Sequence, residues 1–329
     1  MAPGPFVAAI SSFRLTSYNV LAAAYATRKL YPSIDADLMR WSRRAPAIVA
    51  RVLALAPDVV CLQEVEAIAW PGLEAALAAE GWRGVFAGKG AGRPDGCATL
   101  WRDGALRFAV HEVLHYDDGE PGADPSGHLA LIATFQSAAG PARIANTHLR
   151  WQAATATAEA HIGFRQAREL IARSSGAAPA PFAFVACGDF NAPPESGIAS
   201  LFRSLGFVDA YETAPQPTCN PHRRATRIDY IFATTGLRTV PETIPTIDGE
   251  TPLPSSTEPS DHLPSRRGCR RPLQRRLHDR CAARHHVVDV GPRPTFVVSP
   301  HSDIFIRARG AIRRAPSAPI RATSLPRRQ

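Results

Sequence analysis

Between residues 13 and 234 the apolar positions of the chain switch repeatedly between two periods. "FRLTSYNVLAA" alternates as a strand does and ends on a polar Asn19. In "DLMRWSRRAPAIVARVLALAP", Leu38, Trp41, Ile48, Val52 and Leu55 recur at helical spacing, and Pro57 stops the run. "DVVCLQEV" is a short apolar run closing on Gln63 and Glu64, and "WPGLEAALAAEG" is a second helix ended by Gly81. Strand-like runs then crowd together: "WRGVFAG", "GCATLWR", "RFAVHEVLHY", "HLALIATFQS" and "ARIANTHLR". "ATAEAHIGFRQARELIARSSG" predicts a long helix, "SSGAAPAP" a flexible connector, and "FAFVACGDFN" a strand that again ends in polar residues. "GIASLFRSLGF" predicts a helix, "TRIDYIFAT" a strand, and 235–259 a Pro/Thr-rich loop.

Strands and helices thus alternate in two halves, with close strand neighbours inside each. Close neighbours imply antiparallel pairing, which favours an α/β sandwich over a doubly wound sheet. No repeat of fixed period is present.

Composition changes this picture at one end only. A chain of 329 residues, 45% hydrophobic, buries a substantial core. Its net charge of +9 suggests a nucleic-acid binder until it is divided along the chain. From Ser265 onward there are 16 Arg and 3 Asp, which leaves 22 basic and 26 acidic residues before it. The body is mildly acidic and the basicity belongs to the tail. Only Lys29 and Lys89 are lysines, a bias expected of a GC-rich gene. Six cysteines form no CxxC pair, and Cys61 and Cys187 lie in apolar runs, as small buried hydrophobes do. A reducing compartment fits. The N-terminus lacks the basic region and apolar length of a signal peptide, and no stretch nears the ~20 apolar residues of a membrane span. The expectation is a soluble, cytoplasmic protein, monomeric and with no protein partner indicated.

Candidate chemistry gathers at strand ends: Asn19, Gln63 with Glu64, Asn146 with His148, Asp189 with Asn191, Asp229, and lastly Asp261 with His262. Polar groups at rigid, open strand ends are where a layered fold collects a site. Oxygen donors with histidine and without clustered thiols suit Mg²⁺ or Mn²⁺ better than structural zinc. Each residue has a blander reading: a turn former or cap for Asp189 and Glu64, a core histidine for His148, a structural carboxylate beside Arg227 for Asp229. Arg150 and Trp151 are as readily surface groups as a phosphate contact and a base-stacking ring. Cys219 with His222 lacks the second pair that a metal site needs and is read as loop. "GKGAGRPDG" (88–96) is Gly-rich but has no strand–loop–helix frame, and is set aside as a phosphate loop.

In chain order, "SYNVLA", "PDVVCLQEVE", "DGCATLWR", "NTHLRW", "CGDFNAPPESG", "RIDYIFA" and "PSDHLP" resemble the endonuclease/exonuclease/phosphatase superfamily. Within it they are most similar to the branch of carbon-catabolite-repressor-type deadenylases and nocturnin. The resemblance implies a four-layer α/β sandwich of two mixed β-sheets flanked by helices. It implies that Glu64 binds a metal with Asn19 and Asp261 helping, that Asp189 orients or deprotonates the attacking water, and that Asn191 supports the phosphate. It further implies that His262, oriented by Asp229, contacts the phosphoryl oxygen, and that His148 contacts it from the other side with Asn146 nearby. Arg150 and Trp151 would then be substrate-binding. The activity implied is metal-dependent hydrolysis of phosphoester bonds in RNA or nucleotides, a deadenylase-like 3′-exonuclease being one form. The alternatives are a small-molecule nucleotide or dinucleotide phosphatase and a truncated, non-catalytic binding domain. No docking module is expected before the domain, which favours short substrates.

The domain is expected to span 13–264, after a short N-terminal extension at 1–12. In the family an apolar strand follows "SDH"; here Pro264 is followed by "SRRGCRRPLQRRLHDR". Residues 265–329 are therefore expected to be an Arg/Pro-rich tail, disordered or the product of a shifted reading frame, leaving an open edge beside Asp261 and His262.

Overall fold

The computed structural model describes residues 12–104, 106–119, 123–137, 140–153, 160–175, 183–213, 215–235, 237–270, 295–298 and 304–307. The first half runs β1 (Ser12–Asn19), α1 (Ala36–Met39), α2 (Trp41–Leu55), β2 (Val59–Glu66), α3 (Trp70–Ala78), β3 (Trp82–Gly88) and β4 (Asp95–Arg102). The second runs β5 (Arg107–His115), β6 (Leu129–Ser137), β7 (Gly140–His148), α4 (Ile162–Ser175), β8 (Ala183–Asp189), α5 (Gly197–Ser204), β9 (Phe207–Asp209) and β10 (Asp229–Thr234). Then come β11 (Arg238–Pro241) and β12 (Ser265–Arg270).

These strands form two six-stranded sheets, ordered β11-β12-β1-β2-β4-β3 and β5-β6-β7-β8-β10-β9. At the centre of each lies one parallel pair, β1 with β2 and β7 with β8; the other neighbours are antiparallel. The pleat sends alternate residues to opposite faces. In β2, Val59 and Cys61 therefore enter the layer between the sheets, while Val60 and Leu62 meet the helices. Between the sheets, Leu15, Cys61 and Trp101 pack against Phe135, Ile144, Val185 and Ile231. Outside, Ile48 and Val52 of α2 and Leu73 and Leu77 of α3 cover the first sheet. Ala167 and Leu170 of α4 and Ile198 and Phe202 of α5 cover the second. Four layers result: the alternation of strands and helices implied the α/β sandwich, and the family resemblance its four layers.

The tail departs from expectation at its start. Ser265–Arg270 is not an unstructured run: it is β12, paired antiparallel with β1 on one side and β11 on the other. The strand alternates, which leaves Arg266 at the surface edge but turns Arg267 inward. Ser265, Arg267 and Cys269 are buried, while Arg266 is only half-buried. Arg266 reaches Glu242 at 2.8 Å and the Leu55 carbonyl at 3.1 Å, a cation at the C-terminal end of α2. The domain therefore extends through Arg270, and the edge expected beside Asp261 and His262 is filled. Residues 235–259, read as loop, contribute the edge strand β11. The sheet begins at Ser12, one residue before the expected boundary.

Arg267 is 1% exposed, and burial pushes its guanidinium down to about 10. Its Nη1 donates to the Ile231 carbonyl at 3.3 Å, its Nε has no partner, and no carboxylate pairs with it among the described residues. A buried cation without a partner carries a desolvation cost that an apolar side chain of similar volume avoids, a difference of ~1–4 kcal/mol. Arg267→Met is expected to raise Tm by about 2–4 °C per kcal/mol gained. A calorimetric melt in which Met lowers Tm would show that the guanidinium stabilises the sheet instead.

The two strands beyond residue 276 belong to a separate unit. Within it β13 (Thr295–Val298) pairs antiparallel with β14 (Ile304–Arg307), two of the apolar islands in the tail. The remainder of the expected tail, and residues 1–11, lie outside the described residues.

Candidate active site

The site is assembled where the parallel pairs end. In β2 the register steps from Gln63, opposite Cys97, to Val65, opposite Gly96, leaving Glu64 as an extra residue with φ +60°. This bulge turns the Glu64 carboxylate out of the strand. Leu21 and Asn191, just past the ends of β1 and β8, also occupy the left-handed region, at φ +57° and +50°. Such conformations cost on the order of 1–3 kcal/mol each and cluster at working sites. Gly188 is required for another reason: at φ +141°, a Cβ would stand 1.8 Å from the Thr147 carbonyl. Only glycine lets β8 approach β7 there, one residue before Asp189.

Asn19 links the two sheets. Its Nδ2 donates to Glu64 Oε1 at 2.9 Å and to Asp189 Oδ2 at 3.0 Å, while Oδ1 accepts from the Leu21 amide. Glu64 Oε2 accepts from the Ala22 amide at 2.8 Å. Burial, reinforced by Asp261, raises the Glu64 pKa. Asp189 Oδ1 accepts from the Asn191 amide at 2.8 Å. Its Oδ2 lies 3.6 Å from His262 Nε2 and 3.7 Å from His148 Nε2. Burial pushes its pKa up to about 7; His262 pulls the other way, and Asp229 and Glu64 add to the rise.

The two histidines differ electrostatically. His262 Nδ1 meets Asp229 Oδ2 at 2.9 Å, and Thr218 Oγ1 donates to the same oxygen at 2.5 Å. Burial disfavours the charged ring, yet Asp229 and Asp261 outweigh it and raise its pKa well above the usual value. His148 is held neutral by burial and by Lys89, whose Nζ lies 3.1 Å from its Nδ1. Because an ammonium only donates, Nδ1 accepts there. Asn191 Nδ2 lies 3.0 Å from His148 Nε2 and donates to the Leu149 carbonyl.

The segment carrying Asp261 and His262 is tied back to β1. Ser260 Oγ donates to the Asn19 carbonyl at 2.7 Å, and Tyr18 Oη donates to Glu258 Oε1 at 2.5 Å. Arg51 pairs with Glu258 at 3.0 Å. Buried Arg44 donates to the Val20 and Leu21 carbonyls, both at 2.8 Å. Asp261 Oδ2 accepts from Tyr31 Oη at 2.7 Å. A cavity of about 400 Å³, lined by Tyr31, Pro32, Asn220, Arg223, Thr251 and Leu253 among others, opens beside this tyrosine.

Eight of the eleven sequence-predicted residues border this centre; Asn146, Trp151 and Arg150 are not joined to it by any described contact. Asn146 is wholly buried one pleat deeper, its Oδ1 taken by Gln63 and its Nδ2 by the Leu62 and Ala98 carbonyls. It braces the sheets against each other and does not line the opening. Trp151 is 68% exposed, and none of the described contacts fixes its ring. Arg150 is half-buried after β7, with its amide donating to Gln166 Oε1 at 2.8 Å. Cys219 lies in a loop, as expected, with its thiol grouped with Asp229 and His262.

Lys89 was passed over with its Gly-rich segment. It is buried, 2.7 Å from Asp95 Oδ2, and Tyr25 Oη donates to the other oxygen of Asp95 at 3.0 Å. The available signal was scarcity, since a lysine in a chain that otherwise uses arginine marks a compact point charge.

The residues fit a divalent cation. Asp261 Oδ1 is buried with no hydrogen-bond partner, and carboxylate oxygens of Glu64 and Asp189 lie within 4.8 Å of each other. Buried carboxylate oxygens lacking protein donors are what a hard cation would satisfy.

The chain belongs to the endonuclease/exonuclease/phosphatase family, whose model matches residues 16–262. Over 233 residues it is 27% identical to the CCR4-Not complex 3′-5′-exoribonuclease subunit Ccr4 of Debaryomyces hansenii, an alignment covering 61% of this chain and 28% of that protein. It is 28% identical over 219 residues to protein angel of Drosophila melanogaster, covering 63% of this chain and 60% of that one. The chain thus spans less than two thirds of either relative. Its fold is similar to that of ANGEL2, described as a 2′,3′-cyclic phosphatase, with a TM-score of 0.70 at 21% identity over 80% of this chain and 96% of that one. It is also similar to the human nocturnin catalytic domain, with a TM-score of 0.58 at 22% identity over 79% and 93%.

Proposed function

We propose that the protein hydrolyses phosphoester bonds of RNA or nucleotides with the help of Mg²⁺ or Mn²⁺. The observation that carries this reading is the placement of Asp189 Oδ2 between the Nε2 atoms of His262 and His148, with Asn19 joining it to Glu64. Glu64, Asn19 and Asp261 would hold the cation, which supplies Lewis acidity toward a phosphoryl oxygen. Asp189, with a pKa near 7, is suited to take a proton from water at neutral pH. His262, held charged and oriented by Asp229, offers a positive N–H to the developing charge on phosphorus. Lys89 and Asn191 balance that charge from the His148 side. The chain's own groups position and neutralise, which is most of what phosphoryl transfer asks of a protein.

Release of mononucleotide from a 5′-labelled oligoadenylate tests the reading. Turnover with Mg²⁺ or Mn²⁺ that stops on chelation supports it. A folded sample that releases nothing from this substrate, from dinucleotides or from 2′,3′-cyclic nucleotides would sink it. The mildly acidic body favours short substrates, because long nucleic-acid tracks rest on basic grooves. A 2′,3′-cyclic phosphate is the next substrate to test, because ANGEL2, of similar fold, is described as a 2′,3′-cyclic phosphatase.

A further inference from the structure

A second polar network lies against the site and takes no part in the chemistry above. Asp118, in the connection from β5 to β6, accepts from the Ser126 amide at 2.7 Å through Oδ1 and from Ser126 Oγ at 2.5 Å through Oδ2. Ser126 Oγ in turn lies 2.9 Å from His128 Nδ1. Gln166 of α4 donates through Nε2 to Asp118 and, at 3.2 Å, to Ser126 Oγ. Its Oε1 accepts from the Arg150 amide, two residues past His148. Every member of this group is at least nine-tenths buried.

The network fixes a tautomer. The Ser126 hydroxyl has one proton, and at 2.5 Å that proton belongs to the Asp118 carboxylate. Toward His128 the serine oxygen is therefore an acceptor, so Nδ1 carries the ring proton and Nε2 is a bare lone pair. None of the hydrogen bonds of the described residues uses Nε2, and it is not among the sealed, unpartnered polar atoms. The ring meets His148 edge to face, with 6.2 Å between centroids. Burial and the cations Lys89, Arg93 and Arg150 keep it neutral.

A neutral acceptor among cations is selective. Phosphate oxygens would be drawn to the cations around the ring, Lys89, Arg93 and Arg150, and a lone pair at Nε2 would repel them. What it accepts is a neutral donor within one sugar's reach of a phosphate at His148, and in RNA the adjacent donor is the ribose 2′-hydroxyl. We infer that His128 Nε2 accepts the 2′-hydroxyl of the nucleotide bearing the scissile phosphate, and so makes the site selective for ribose over deoxyribose. Asp118, Ser126 and Gln166 are positioning residues that hold the tautomer.

The inference rests on the phosphodiester reading, and its test separates the two. Turnover of matched oligoriboadenylate and oligodeoxyadenylate is compared in wild type, His128→Phe and His128→Asn. Wild type is expected to prefer ribose by about 10–100-fold, the usual effect of leaving one buried acceptor unpaired. Phe should bring the ratio close to one, and Asn, which retains an acceptor oxygen, should restore part of it. A wild-type ratio near one, or a ratio that survives in Phe, overturns the proposal. In parallel, calorimetry measures binding of adenosine 3′-monophosphate and its 2′-deoxy form to wild type and His128→Phe. If no oligonucleotide is turned over, the phosphodiester reading fails, and binding still decides the role of His128. Discrimination present in wild type and lost in Phe sustains it; equal binding of the two ligands by wild type rejects it.

Discussion

Asp189→Asn is expected to lower turnover by about 10²–10⁴-fold, the usual worth of a placed proton acceptor. At roughly 1.4 kcal/mol per decade this is a barrier increase of about 3–5 kcal/mol. Asparagine keeps the size of the side chain and an oxygen for the Asn191 amide, so the backbone turn after β8 survives. What it removes is the group that takes the proton, together with one of several carboxylates crowded by Glu64 and Asp229. Relief of carboxylate crowding offsets the loss of the Asn19 hydrogen bond to Oδ2, so the melting temperature should shift by no more than a few degrees while activity collapses. Single-turnover rates and a thermal melt on the same preparations decide the matter. Activity within about threefold of wild type would remove Asp189 from the proton transfer.

A chain ended at Pro264 is expected not to fold, whereas one ended at Arg275 should melt cooperatively. The shorter chain lacks β12, which holds six register pairs with β1 and four with β11. It also loses buried Cys269 from between the sheets and the backbone partner of the Tyr211 hydroxyl. Ladder hydrogen bonds at about 0.5–1.5 kcal/mol each, with that burial, rival the ~5–15 kcal/mol stability of a whole domain. The longer chain keeps the complete first unit. Near-UV circular dichroism and a thermal melt distinguish the two; a native-like melt from the Pro264 chain would show that β12 is dispensable.

The layers were legible because periodicity records which face is buried. α2 and α5 and the long strands of both sheets lie where apolar spacing put them. β12 was not, because its polar and basic residues hide a strand under a composition that reads as coil. On one side it pairs with β1, more than two hundred residues away, which local pattern cannot contain. The grouping of Asp189, Asn191 and Asp229 was legible because a short motif marks each strand terminus, the end of β8 or the start of β10. The site was not legible at Lys89, Ser126 or His128, which loops deliver to His148 by tertiary packing. Asn146 misled because its neighbour His148 does face the site, and only the depth of the pleat separates a brace from a contact.

The position of β12 has a consequence in time. The outer neighbour of β1 is made some 250 residues after β1 itself. At about 5–20 residues per second, that edge waits roughly 12–50 s for its partner. Throughout the wait it presents unpaired amides and carbonyls to every other nascent chain nearby. The first sheet therefore closes only once translation has passed Arg270, and the protein's greatest exposure to misassembly falls during its own synthesis.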